Sequence, residues 1–187
     1  VLCSLFCAAE LGMERNVTAV VPAVENMPSG SSYRPGDVLR GMSGKTIEIL
    51  NTDAEGRVIL SDALTYAKKF NPALVVDVAT LTGAAHVALG GHASAIFTPD
   101  DAIAKKAETI GEESGDYMWR LPLWEEYEEE IKGTFGDVTN TNNKNSRYGR
   151  ASHAAAFLWQ FVKDAGYPWL HIDIAPRTES AEGEFLA

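Results

Sequence analysis

Residues 45–70 read KTIEILNTDAEGRVILSDALTYAKKF, and this stretch decides the fold of the chain. Its first part, residues 45–50, alternates apolar and polar side chains like a β-strand. Its last part, residues 57–70, carries apolar side chains near a period of 3.6, which predicts a helix with one packed face. Asn71 and Pro72 then end that helix. A strand that leads through a short turn into a helix is typical of an α/β protein.

The turn between this strand and this helix carries two carboxylates and a guanidinium at alternate positions, which are Asp53, Glu55 and Arg57. Alternate residues of an extended segment point the same way, so both carboxylates can reach one site. Such hard oxygen donors suit one or two divalent cations, and a guanidinium can hold an anion beside them. The bare pattern is weak, because a solvated turn with a local ion pair also produces it. Its position favours a site, since ligands bind at strand-to-helix turns and carboxylates are stabilised at helix N-termini.

The segment NTDAEGR followed by VILSDAL closely resembles the signature of the leucyl aminopeptidase family, the di-metal cytosol aminopeptidases. Three other parts of the chain are similar to the same family: the lead-in GDVL at 36–39 and SGKT at 43–46, the strand and loop VDVATLTGA at 76–84, and the last core strand LHIDIA at 170–175. The resemblance therefore spans nearly all 187 residues. Small departures are Val58, where leucine is commoner, and Pro176 with Arg177 after the last strand.

The resemblance implies roles for the charged turn. Asp53 and Glu55 would ligate two divalent metal ions, with Glu55 bridging them, and Asp53 would also contact the substrate. Arg57 would be catalytic, because in this family it holds a bicarbonate ion that acts as general base. Zinc, manganese and magnesium all suit such donors, so the metal stays open. Two cations would activate a shared water and polarise the peptide carbonyl, and a metal-bound substrate amine would explain the cleavage of N-terminal residues only.

The resemblance also implies a substrate loop after the strand at 73–79. Thr80, Leu81 and Gly83 match positions that contact the substrate, although ordinary loop packing explains Leu81 equally well. Ala175 matches a wall of the substrate pocket, for which the alternative is plain core packing.

Other polar residues are expected to have structural roles. Asp77 interrupts an apolar strand, where it either caps the strand or supports the site through hydrogen bonds, and the structural role is favoured. Asp62 lies one turn into the helix, and Lys45 does not match the catalytic lysine of the family. The histidines lack metal-ligand spacing and are expected to be satisfied buried or surface residues, which applies to His86, His92, His153 and His171.

Several functional groups of the family have no match in this sequence. They are a lysine and two aspartates that ligate metal, and a second lysine that stabilises the transition state. Because two carboxylates are too few donors for two tightly held metals, we expect little peptidase activity from residues 1–187 alone. We expect these residues to be the C-terminal part of a catalytic domain, truncated at both ends.

Two alternative functions stay open. A non-catalytic oligomeric scaffold could keep the aminopeptidase fold, but it would have no need of Asp53, Glu55 and Arg57 together. A carboxylate-lined magnesium hydrolase such as a phosphatase is the other alternative, and the sequence lacks the glycine-rich phosphate loop that would support it.

Composition narrows the class of protein. A chain of 187 residues with 45% hydrophobic residues fits one α/β domain. Its 26 acidic and 16 basic residues give a net charge of −10, which disfavours nucleic-acid binding. No membrane-spanning run or signal peptide is found, so a cytoplasmic protein is expected, with Cys3 and Cys7 buried and reduced. The expected partners, by resemblance, are peptides with leucine-type N-terminal residues and further copies in a homohexamer.

The remaining elements predict a three-layer α/β/α sandwich with a mixed, largely parallel central sheet. Strands are expected at 17–21, at 73–79 in the centre of the sheet, at 86–95 with a break at two glycines, and at 169–175. Helices are expected at 1–12, 100–114, 123–132 and 152–165, and loops at 25–37, 80–84 and 135–150. The last loop is asparagine-rich and is expected near the site or in an oligomer contact.

Overall fold

The signature stretch folds into a strand, a turn and a helix, as its pattern predicts. A computed structural model describes residues 1–144 and 146–178. The strand Thr46–Glu48 leads into the helix Glu55–Ala67, which is followed by a 3-10 turn. Asn71 then adopts a left-handed conformation with φ 45°, which ends the helical segment at the predicted Asn-Pro pair. The helix begins at Glu55 rather than at residue 57, so Arg57 lies in its first turn.

The described residues contain thirteen regular elements besides short 3-10 turns. The helices are α1 (Leu2–Glu10), α2 (Glu55–Ala67), α3 (Gly83–Leu89), α4 (Asp101–Ser114), α5 (Glu125–Glu129) and α6 (Arg150–Val162). The strands are β1 (Val38–Arg40), β2 (Thr46–Glu48), β3 (Val75–Ala79), β4 (Ser94–Phe97), β5 (Met118–Arg120), β6 (Val138–Thr139) and β7 (Trp169–Asp173). None of these helices is both long and apolar enough to cross a membrane.

The strands form two mixed sheets instead of the single expected one. The larger sheet has the order β3-β7-β4-β5, in which β3 and β7 are parallel, β7 and β4 antiparallel, and β4 and β5 parallel. The smaller sheet has the order β1-β2-β6, with β2 antiparallel to β1 and parallel to β6. Parallel pairing in both sheets brings carboxyl ends of neighbouring strands together, which is where α/β proteins place their sites.

Helices cover both faces of the larger sheet, which confirms the expected α/β class. Along β4, Ala95 and Phe97 face a cluster with residues of α3 and α6, whereas Ile96 faces a cluster that includes Ala107 of α4. This alternation is the period of two that a strand imposes on a sheet buried on both sides. The largest cluster packs α2 and α6 against β2, β6 and β7, around Phe157 and Trp169.

Several local predictions from the sequence are wrong. Residues 17–21 pair with no described residue, because β-branched composition forms a strand only where a partner is present. Much of the expected strand at 86–95 is helix α3, because the Thr82 side chain caps it by accepting from the Ala85 N–H at 3.2 Å. Strand β3 lies at the end of its sheet rather than in the centre. Cys3 and Cys7 are free but exposed, because helix α1 buries no side chain.

Candidate functional site

The charged turn places its three side chains at the start of α2. Asp53 is exposed, and its backbone N–H donates to the Asn51 side chain at 3.0 Å, which shapes the turn. Glu55 is half-buried and occupies the first residue of the helix, where a carboxylate is stabilised by the helix dipole. Ala54 precedes it and gives no side-chain cap, so first-turn backbone N–H groups have no local side-chain acceptor. Arg57 is only 7% exposed.

A buried asparagine from the 135–150 segment holds this turn in place. The Asn140 Oδ1 atom accepts the backbone N–H groups of Leu50 at 2.9 Å and Asn51 at 3.2 Å. Its Nδ2 atom donates to the Asn51 carbonyl oxygen at 2.6 Å. This fully buried amide makes these three bonds and a longer one of 3.5 Å to the Ala54 carbonyl oxygen, and together they fix the backbone conformation between strand and helix. The asparagine-rich segment therefore lies beside the site, which is one of the two locations expected for it.

Arg57 is a buried cation in need of a partner. Its Nε atom is buried and has no hydrogen-bond partner in the described part of the chain. Burial lowers the pKa of Arg57 to about 10, with Arg150 adding to that effect, while the nearby carboxylates of Asp173 and Glu55 oppose it. The guanidinium is still charged at neutral pH. An incompletely paired buried cation is costly, so this position suits an anion.

A buried carboxylate at the end of β7 organises the loop that follows β3. Asp173 ends β7, pairs in register with Ala79 at the end of β3, and is only 1% exposed. Its Oδ1 atom accepts the backbone N–H groups of Leu81 at 3.0 Å, Thr82 at 3.3 Å and Ala175 at 3.1 Å. Its Oδ2 atom accepts the Thr82 hydroxyl at 2.7 Å. One carboxylate thus ties together the two segments that the sequence assigned to substrate binding.

These two segments form a cleft of about 440 Å³, called the loop cleft below. It is lined by Thr80, Leu81, Thr82, Gly83, His86, Ala175 and Thr178. The four residues predicted from the substrate loop and the pocket wall therefore lie together. The three charged residues of the turn are not in this lining, but the two features adjoin. A Cβ atom added to Gly56, between Glu55 and Arg57, would lie 3.3 Å from the Leu81 Cδ1 atom.

The sequence matches a family model described as the cytosol aminopeptidase family, catalytic domain, over residues 1–185. The chain belongs to the cytosol aminopeptidase family. A probable cytosol aminopeptidase of Roseiflexus castenholzii is 51% identical over 175 residues, which cover 94% of this chain and 35% of that protein. One of Syntrophotalea carbinolica is 50% identical over 183 residues, covering 98% of this chain and 36% of that protein. A solved mutant of tomato leucine aminopeptidase superposes with a TM-score of 0.79 at 46% identity, covering 86% of this chain and 31% of that one.

This chain of the cytosol aminopeptidase family spans about a third of the length of these curated relatives. Its charged turn has the chemistry of a divalent-cation site, because the exposed Asp53 and half-buried Glu55 present carboxylate oxygens near a buried guanidinium. The Glu55 Oε1 atom also accepts a hydrogen bond from the Asn26 side-chain amide at 3.1 Å. Within residues 1–144 and 146–178 no group of three or more His, Cys, Asp or Glu side chains could hold a metal ion. The residues present fit part of a metal site.

Asp77 has the structural role that the sequence favours. Its Oδ2 atom accepts from the Trp169 indole N–H and its Oδ1 atom lies against His171 Nδ1, both at 2.6 Å. Burial lowers the pKa of His171, but the charge and hydrogen bond of Asp77 outweigh it and the pKa is raised. His153 is likewise buried, with Nε2 2.6 Å from a Glu130 carboxylate oxygen. Both histidines are partnered through one ring nitrogen, as expected, although His153 Nδ1 has no partner in the described residues.

Sequence reasoning missed five residues around the site. Asn140 and Asp173 support the two site segments through buried hydrogen bonds, and the loop cleft is also lined by Thr82, His86 and Thr178. Asp173 had a usable signal, because a carboxylate at the carboxyl end of a strand commonly marks a site. His86 had none, since its segment was assigned to a strand.

Proposed function

We propose that this chain is part of the catalytic domain of a metal-dependent aminopeptidase that releases N-terminal amino acids from peptides, leucine among them. The observation that carries this proposal is the contact between the charged turn and the loop cleft. The turn offers carboxylates and a buried cation, and the cleft offers an open recess for one side chain beside them. Gly56 and Asp173 join the two features. Family membership supplies the class of reaction.

Each residue has a part in this proposal. Asp53 and Glu55 would hold two divalent ions, with manganese, zinc and magnesium all suitable for oxygen donors. The chemistry that such ions supply is activation of water and polarisation of the scissile carbonyl. Arg57, buried and cationic, would hold a bicarbonate that supplies a proton acceptor. Asp53 would also contact the substrate.

The loop cleft would hold the first side chain of the peptide. Thr80 and Gly83 would contact the substrate from the loop, while Leu81 and Ala175 would supply apolar surface for a leucine-type side chain. Asp173 would keep the loop in position through its four accepted hydrogen bonds. In these assignments, Thr80, Leu81, Gly83 and Ala175 contact the substrate, and Asp173 positions the loop that carries most of them.

The wider setting is part of the same proposal. We propose that the protein works in the cytoplasm as a homohexamer, by resemblance to its family. We also propose that residues 1–187 alone bind metal weakly and turn over little substrate, because two carboxylates leave most of a two-metal coordination shell unfilled. Turnover by the purified 187-residue chain, free of contaminating peptidase, would contradict that last statement.

The test is an assay of the full gene product that carries this chain. It uses leucine p-nitroanilide with added manganese or zinc, for the wild type and for Asp53→Ala. Asp164→Ala is the matched control, because Asp164 is an exposed aspartate outside the charged turn and the loop cleft. Metal-dependent cleavage that is lost in Asp53→Ala and kept in Asp164→Ala supports the proposal. Absence of cleavage by folded, metal-loaded protein across several aminoacyl substrates would favour the scaffold alternative.

A further inference from the structure

His86 introduces a hydrogen-bonding group into a cleft that the family resemblance describes by its loop and its apolar wall. It lies on α3, one turn after the loop residues, and its ring lines the loop cleft. The side chain is half-buried. A side chain bound in the cleft would therefore meet an imidazole as well as apolar surface.

The ring has one nitrogen directed at the protein and one left for a ligand. Nδ1 lies 3.5 Å from the Ala175 carbonyl oxygen, which can only accept, so Nδ1 carries the hydrogen in the neutral ring. Nε2 then presents a lone pair. No described residue hydrogen-bonds to Nε2. In this tautomer Nε2 can accept a hydrogen bond from a group bound in the cleft.

The hydroxyl groups of two neighbouring threonines in the lining are already engaged by the protein. The Thr82 hydroxyl donates to Asp173 at 2.7 Å, and the Thr178 hydroxyl donates to the Ala175 carbonyl oxygen at 3.0 Å. Leu81 and Ala175 contribute apolar surface. His86 is the aromatic ring among the described residues of the lining, which also contains the exposed Thr80 side chain, so the cleft is not purely apolar.

We propose that His86 is a specificity-determining residue, whose Nε2 atom accepts a hydrogen bond from an uncharged donor on the first side chain of the peptide. The cleft would then take asparagine, glutamine, serine and threonine side chains besides leucine. Acidic side chains are disfavoured, because the tautomer with its hydrogen on Nδ1 offers them no donor at Nε2 and because the Asp173 carboxylate lies directly behind the loop. This inference rests on the aminopeptidase function proposed above.

Three isosteric first residues test it in the full gene product. Leucine, asparagine and aspartate side chains have nearly the same shape, so Leu-Ala, Asn-Ala and Asp-Ala dipeptides differ chiefly in hydrogen bonding and charge. The measured quantity is the ratio of kcat/KM for Asn-Ala to that for Leu-Ala. His86→Leu should lower this ratio about 10-fold, which is the size expected for one lost hydrogen bond to a desolvated group.

Conservative variants separate specificity from structure. His86→Gln keeps a polar group near the Nε2 position and should retain most of the ratio, whereas His86→Asn keeps one near Nδ1 and should lose it. His92→Leu is the matched control, because it makes the same change at an exposed histidine outside the loop cleft, and its ratio should stay unchanged.

The outcomes distinguish this inference from the proposed function. Equal losses of kcat/KM for both dipeptides in His86→Leu and His86→Asn would show a merely structural histidine and overturn the inference, while leaving the aminopeptidase function intact. Preference for Asp-Ala over Asn-Ala would also overturn it. Cleavage of no dipeptide by folded, metal-loaded wild type would end both proposals.

Discussion

Replacing Asp173 by alanine removes the acceptor that holds the substrate loop against the end of β7. The change leaves three backbone N–H groups and one hydroxyl without their partner in a buried position. The loop should then open more often, although the sheet beneath it keeps its pairing. Asp173→Asn is the closer variant, because its amide oxygen can still accept where Oδ1 accepted three N–H groups.

The size of the effect follows from these contacts. A buried polar group left without a partner costs about 1–3 kcal/mol, and neighbouring losses are not additive because water enters the space. We expect about 3 kcal/mol for Asp173→Ala, which corresponds to roughly 100-fold more frequent opening of the loop. Asp173→Asn loses mainly the charge, and hydrogen bonds to charged groups exceed neutral ones by about 1 kcal/mol, so roughly 5-fold more frequent opening is expected.

Hydrogen–deuterium exchange followed by mass spectrometry measures this opening directly. Peptides that cover residues 80–85 should exchange faster in both variants, in the order alanine, asparagine, wild type. Peptides from α4 are the internal control, because no side chain of that helix bonds to Asp173 within the described residues. Thr82→Val, which removes the hydroxyl but no carboxylate, should fall between wild type and Asp173→Ala.

Unchanged exchange at residues 80–85 in Asp173→Ala would refute the reasoning, since it would mean that the loop keeps its position without the carboxylate. Equal acceleration in α4 would refute it in another way, because the residue would then support the whole domain. Activity adds a further check, as a displaced loop should raise KM for peptides more than it lowers kcat.

Three further predictions concern other buried polar groups. Asn140→Ala should weaken metal binding in titration calorimetry by about 10-fold or more, because the turn that carries the carboxylates loses its three backbone hydrogen bonds; unchanged affinity would contradict this. The pKa of His171 is raised in the folded protein above its ordinary value of 6.5, which stabilises the fold fully below pH 6.5. This stabilisation is lost as the pH rises from 6.5 through the folded pKa, so the free energy of unfolding should fall over that pH range. Asp77→Asn should flatten this dependence of the free energy of unfolding on pH. Arg57→Met should abolish activity while leaving the midpoint of thermal unfolding unchanged or higher, because it removes a buried charge with an unpartnered Nε atom. A clear drop in this midpoint would show that the Arg57 cation is paired.

Sequence patterns predicted the elements whose stability is local. The helices near 100–114 and 152–165 and the last strand were predicted within a few residues, because periodicity and caps act over neighbouring positions. The failures at 17–21 and 86–95 have a common cause. Valine and threonine at 17–21 favour a strand only beside a partner strand. In the other segment, the side chain of Thr82 caps the first turn of helix α3, and the pattern of small residues does not show this cap.

In the candidate site, too, local features were predicted and long-range contacts were not. Local motifs pointed to Asp53, Glu55 and Arg57 and to four residues of the loop cleft, Thr80, Leu81, Gly83 and Ala175. The metal, catalytic and substrate-binding roles stay predictions. The contacts of Asn140 with Asn51 and of Asp173 with Leu81 could not be predicted, because these partners lie 89 and 92 residues away along the chain. Only the folded topology brings such pairs together.

The parallel pairing of β3 with β7 has a consequence for how the site comes into being. The strands meet through residues such as Asp77 and His171, 94 positions apart, so closing this loop is entropically costly and slow. During synthesis, the ribosome has released the charged turn and the residues of the 80–83 loop long before β7 emerges. The loop cleft, whose wall includes Ala175 just after β7, is therefore completed only when β7 docks beside β3.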